Sequence, residues 1–229
     1  MRCSRARRGI AIALGATLLL AGTAGAGAAG IVTPPAGTPN LALMVLQPSD
    51  LVPGATISAQ RYVAPPTGFT ADYGSEFNGA ATTDGVKYLA VVDFIALAPT
   101  ASLASTYYAA QDNEFATAKG RAKLTTSIVK SAGKKAHMKR KDVTFSAAAS
   151  AGLGSSSLTE TITLKLGHAT YREVVAVFEE GDFSAALEIT GTANEAVPQA
   201  DAVALATTIQ SHINTVLASG GTTGLTGTS

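Results

Sequence analysis

The sequence predicts an α+β fold: an antiparallel β-sheet with two main helices packed on one face, forming a single-domain sandwich. Three features carry this expectation. Residues 158–191 hold three strand-like runs whose separating turns are so short that only antiparallel hairpins can join them. Residues 198–218 repeat apolar side chains at helical spacing. Between 86 and 118 an apolar strand runs into a helix that opens on Pro99 and Thr100.

In chain order, the Pro-rich residues 30–40 read as an extended linker. A short apolar run follows, broken by Pro48 and by Pro53-Gly54, with a turn or one helical turn around Ser49 to Leu51. Residues 57–63 read as a strand ended by Pro65-Pro66, and 69–77 as a second closed by Asn78-Gly79. The run 86–97 places Leu89, Val91, Ile95 and Leu97 on one face and Tyr88, Ala90, Val92, Phe94 and Ala96 on the other. Two apolar faces argue a central strand covered on both sides. Asp93 falls on the first face, where a carboxyl needs a partner or a wet edge; a structural pair with Lys or Arg is the expected account.

The helix after Pro99 starts at Thr100 or Ser102 and runs to about Ala118, with Gly120 as its stop. A short element at 124–129 fits helix or strand, and a Lys/Arg-dense loop follows Gly133. Residues 143–149 read as a strand, and 150–157 as a Gly/Ser turn. The strands 158–166, 170–180 and 183–191 come next, joined at Gly167-His168 and Gly181-Asp182. In the last helix Pro198 suits the first turn and Asp201 the positive end of the dipole. Val203, Ala206, Ile209, Ile213 and Val216 form its apolar stripe. The domain thus spans 41–218, with a disordered Gly/Thr tail at 219–229.

The first 29 residues stand apart. Arg2, Arg5, Arg7 and Arg8 precede an apolar run and a small-residue zone, the layout of a secretory signal peptide. The expected location is therefore secreted or extracytoplasmic after cleavage, with an uncleaved N-terminal membrane anchor as the alternative. The single cysteine, Cys3, lies inside this segment, so the mature part has no disulfide and no thiolate chemistry. With 46% hydrophobic and 14% charged residues, the chain can bury a core.

Sequence motifs offer little chemistry. The G-x-G-x-x-G at Gly25, Gly27 and Gly30 lies in the cleavage zone, without the strand and helix that a dinucleotide site requires. Ser127 and Lys130 match S-x-x-K, but the companion S-D-N and K-T-G motifs are missing. His137, His168 and His212 fall on a basic loop, a hairpin turn and a helix, and no metal site or cofactor is expected from them. Glu179, Glu180 and Asp182 read as solvated acids of a hairpin turn. No catalytic residue is assigned.

The outstanding feature is charge. Residues 119–141 hold nine of the chain's 17 Lys and Arg and no acid. Outside this stretch and the signal peptide, only 4 bases face 16 acids. Three readings compete for it: a solvated loop offsetting an acidic sheet, a patch for anionic cell-wall polymer or membrane surface, or a nucleic-acid site. The last is weakest, because the stretch has no aromatic residue for base stacking. The expected ligand contacts are Lys134, Lys135, Lys139, Arg140 and Lys141.

The opening LQPSDLVPGA of the domain resembles the start of small actinobacterial-type secreted domains. The layout over 41–218 resembles the extracellular sensor-like domains and lipoproteins of the mycobacterial kinase-receptor type. That resemblance implies an α+β sandwich used for binding or sensing at the cell envelope; it transfers no functional residue. The function expected is an exported, non-catalytic, sensor-like binding domain. The alternatives are a small secreted hydrolase pairing Asp93, Glu179 or Glu180 with a histidine, and a purely structural envelope protein.

Overall fold

The computed structural model describes residues 32–51, 54–79, 88–132 and 137–220. The expected signal peptide, most of the expected tail, and Lys134 and Lys135 lie outside the described residues. One seven-stranded antiparallel sheet organises the chain: β1 (Thr56–Val63), β2 (Ala71–Asn78), β3 (Tyr88–Leu97), β4 (Val143–Phe145), β5 (Ser156–Leu166), β6 (Ala169–Glu180) and β7 (Phe183–Gly191). Its spatial order is β1-β2-β3-β7-β6-β5-β4. Among the described residues the α-helices are α1 (Ala101–Ala116), α2 (Ala118–Ala132) and α3 (Gln199–Ala218). The α+β class and the antiparallel sheet agree with the sequence expectation.

The hairpins follow from local chemistry. β5 meets β6 through Leu166 and Ala169, and β6 meets β7 through Glu180 and Phe183. Each two-residue turn begins on a glycine at positive φ, Gly167 at 62° and Gly181 at 57°, a geometry that twists with the strands and penalises any Cβ. β4 ends sooner than expected, and beyond it Ala149 makes only an isolated bridge to Thr159.

The placement of the helices corrects the one-face expectation. α3 lies on one face of the sheet, where Ala206, Ile209 and Ile213 share a cluster with Val91, Ile95, Val174, Phe178, Leu187 and Ile189. On the opposite face, α2 sets Leu124 and Ile128 against Ile162, Leu164, Val175 and Val177. α1 covers Phe69, Ala96 and Ala98 there through Ala104. Consecutive residues of β6 therefore serve opposite cores: Val174, Ala176 and Phe178 on one side, Val175 and Val177 on the other. Every residue of β7 is buried, as a central strand covered twice must be.

The segment before β1 completes the α3 face. Leu41, Met44, Val45 and Leu46 are fully buried there. The stretch expected as a linker also lies against the domain: Pro34 and Thr38 are buried, and the Val32 amide donates to the Tyr62 carbonyl. No helix among the described residues is long and apolar enough to cross a membrane.

Candidate functional site

The basic segment is built on a helix that the sequence left undecided. α1 does not stop at Gly120. It breaks at Thr117, whose extended backbone (φ −101°, ψ 148°) separates two helices. Thr117 then caps the second one: its Oγ1 accepts from the Gly120 amide at 3.0 Å and its carbonyl from the Arg121 amide at 2.9 Å. Gly120 is buried at the α1–α2 junction, where an added Cβ would lie 2.4 Å from the Glu114 Cα and carbonyl oxygen. It is a close-approach glycine, and its correction from helix stop to helix interior lengthens α2 to fifteen residues.

α2 has two sharply different sides. Gly120, Leu124, Ile128 and Ala132 are buried, following the i, i+4 line of an α-helix. Lys119, Ala122, Lys123, Thr126 and Lys130 are exposed. At about 100° per residue the three lysines fall within about 40° of one line along the helix, facing away from the core. None of them makes an ion pair among the described residues. Arg121 differs. It turns inward, its guanidinium 2.9 Å from the Glu160 carboxylate and 5.8 Å from the centre of the Phe145 ring, and its Nε–H donates to the Phe115 carbonyl. Arg121 is therefore a packing cation.

Past α2, Met138 and Val143 are buried in the same cluster as Ile128 and Ala132. They pin the single 3₁₀ turn Arg140–Asp142 beside the helix. Lys139, Arg140 and Lys141 are exposed on it. The one acid of the turn, Asp142, accepts from the Lys139 amide at 2.8 Å through Oδ2. That hydrogen bond closes the turn on its own backbone. Of the five expected contact residues, three are described, and they join the α2 lysines rather than stand alone.

Beneath α1 and α2 the sheet carries buried acids. Glu160 and Glu188 lie opposite Val175 on its two sides, and Glu173 one pair further along β6, all on the face that α2 covers. Glu160, Glu173 and Glu188 have no exposed surface. Burial pushes Glu173 up to about 8 and Glu188 well above its usual range, the latter also repelled by Glu173. Burial likewise raises Glu160 to about 7, against the pull of Arg121. The Arg121–Glu160 approach is a charge contact not aligned as a hydrogen bond, and the carboxyl oxygens of Glu173 and Glu188 have no hydrogen-bond partner among the described residues.

On the opposite face, Asp93 does not meet a Lys or Arg, contrary to expectation. Its carboxyl accepts from the Ser75 hydroxyl and, at 3.0 Å, from the Leu46 amide. Burial raises it to about 7, with both hydrogen bonds pulling it back and Asp50 pushing further up. Asp93 thereby anchors the segment that covers the sheet. His212 of α3 binds the same segment. Its Nδ1 lies 3.1 Å from the Val45 carbonyl, and its Nε2 lies 3.8 Å from Asp50. Ser75 and Asp93 are closed to solvent, so a substrate cannot reach them in this conformation.

The hairpin acids also separate. Asp182 is exposed, whereas Glu179 is buried and accepts from the Ser155 hydroxyl at 3.0 Å. Glu180 accepts from the Gln210 side chain at 2.6 Å. Two of the three are tied into the fold, which corrects their reading as solvated turn acids. His137 and His168 are exposed, and among the described residues neither is bonded to Asp93, Glu179 or Glu180. Among the described residues, no group of three or more His, Cys, Asp or Glu side chains could hold a metal ion.

No protein-family model matches the chain, and no curated protein matches it. Among solved structures the chain is similar to the extracellular domain of PknH from Mycobacterium tuberculosis. The TM-score is 0.46 at 12% sequence identity, over 75% of this chain and 93% of that one. The resemblance to extracellular domains of mycobacterial kinases, expected from the sequence, is thus met by a solved structure of that kind.

Proposed function

We propose that this chain is an extracytoplasmic, non-catalytic binding domain of sensor-like character that meets an anionic envelope component through the basic segment 119–141. One observation carries the reading: Lys119, Lys123, Lys130, Lys139, Arg140 and Lys141 are all solvent-exposed and without an ion pair among the described residues. Arg121, by contrast, is turned inward toward Glu160. Unpaired cations concentrated on one side raise the local positive potential on an otherwise acidic domain and attract anionic partners. The location rests on the signal-peptide pattern of residues 1–29. The competing hydrolase reading draws no support from Asp93, which is sealed under the 41–51 segment.

The test is retention of the mature protein on anionic cell-wall or lipid preparations at low salt. Retention should fall as salt rises past the range where the Debye length is about 10 Å. It should also fall when Lys134, Lys135, Lys139, Arg140 and Lys141 are all changed to Ala. Equal retention of that variant would remove the loop from the site, and no retention of the unaltered protein would sink the function.

A further inference from the structure

We infer that the ligand is a linear polyanion without aromatic groups, lying lengthwise along the exposed side of α2. This rests on the anion-binding reading above and adds to it the footprint and the shape of the partner. The lysines of α2 stand in a line. Lys119 and Lys123 are about 6 Å apart along the axis and Lys123 and Lys130 about 10 Å, so the row spans about 16 Å. Lys139, Arg140 and Lys141 sit on a turn packed beside the helix through Met138 and Val143. Three cations therefore run along α2 instead of converging on a point, and three more lie on the turn packed beside it.

The surface between them is low. Ala122 and Thr126, the other exposed residues of the row, are small, so a chain can lie along the helix while the lysines reach it from above. α2 itself contains no acidic residue. The nearest charge of opposite sign on the adjoining turn, Asp142, is engaged with the Lys139 backbone.

A membrane surface is a poorer match. Among the described residues the exposed large hydrophobics, Val32, Leu43, Ile57 and Leu217, all lie outside α2 and its adjoining turn, so the described surface around the lysines offers no such side chain to the acyl boundary. A single strand of nucleic acid is also disfavoured, because α2 offers no aromatic side chain on which a base could stack. Repeated phosphate or carboxylate groups on a flexible backbone remain, and the row of cations matches that chemistry.

The experiment measures binding of the purified mature chain to long-chain polyphosphate at several salt concentrations. Tripolyphosphate, phosphatidylglycerol vesicles and a mixed-sequence single-stranded DNA serve as comparisons. Two variants are compared with the unaltered protein: Lys119→Gln/Lys123→Gln/Lys130→Gln for the helix, and Lys139→Gln/Arg140→Gln/Lys141→Gln for the turn. Circular dichroism checks that both are folded, which exposed positions favour.

The expected result is that long polyphosphate binds far tighter than tripolyphosphate. The helix variant should weaken it by roughly 100-fold and lower the slope of log affinity against log salt by about 2 to 3. A Thr126→Glu variant, which puts an acid into the middle of the row, should weaken it as well. If the turn variant loses binding while the helix variant does not, the anion-binding function stands and the lengthwise footprint is overturned. If vesicles or DNA bind more tightly than long polyphosphate, or tripolyphosphate binds equally, the linear-polymer assignment is overturned. If no anionic probe binds, both readings fall together.

Discussion

Ionising Glu173 and Glu188 should weaken the fold as pH rises, and the size of the effect follows from where they sit. Both carboxyls are fully enclosed on the α2 face, with no hydrogen-bond partner among the described residues, so burial favours the protonated form of each. In the unfolded chain a glutamate releases its proton near 4.5, whereas folded Glu173 keeps it to about 8. Between those values the folded chain binds more protons than the unfolded one. Stability therefore falls with rising pH, by about 1.4 kcal/mol per unit for one such group. Across the whole window Glu173 alone represents on the order of 5 kcal/mol, an upper figure that water entry on ionisation reduces. Below about 4.5 the penalty is absent, and above about 8 it is complete.

Asp72, Asp93 and Glu160 are also raised, each to about 7. Their contribution fades between pH 7 and 8, while that of the glutamate pair persists, so the pair is read from what its Gln variants change in that interval. Chemical denaturation of the unaltered protein should show stability still falling across that interval. Glu173→Gln and Glu188→Gln, which keep the shape and cannot ionise, should each flatten the fall and be more stable than the parent at pH 8. A parent equally stable at pH 5 and pH 8, or Gln variants with an undiminished slope, would refute the reasoning.

Two further changes probe the joints of the fold. Gly120→Ala places a Cβ against the Glu114 backbone, and should cost about 1–3 kcal/mol by thermal or denaturant melting, because backbone cannot rotate away as a side chain can; a neutral outcome would mean that the α1–α2 junction is not held this tightly. Asp93→Ala leaves the Leu46 amide without its acceptor and should cost about 1–3 kcal/mol. Amide exchange at Leu46 should accelerate with it, and unchanged protection there would show that Asp93 does not hold the segment.

Much of this architecture was legible in the chain because it depends on local rules. The hairpins at Gly167 and Gly181, the Thr100 start of α1 and the apolar stripe of α3 follow from turn chemistry, capping and periodicity within a few residues. The register of α3 shows where that reach ends. Ala202 is buried where Val203 was expected, and Val203 is half-buried. For the same reason Gly120 was misread: a glycine required by contact with Glu114 looks identical, in sequence, to one that ends a helix.

The basic segment shows the same division. That nine cations gather in residues 119–141 is a property of the sequence alone, and so are the successive hairpin strands β5, β6 and β7. Which cations are available is a property of the fold. Arg121 is drawn in because Glu160 lies beneath it, while Lys119, Lys123 and Lys130 are aligned outward because Leu124 and Ile128 must face the sheet. The buried state of Glu160, Glu173 and Glu188 and the two-sided covering of β7 were likewise decided by tertiary structure. Periodicity specifies which residues share a face. Only the packing of distant elements determines what covers that face, and therefore which charges are hidden and which are left in water.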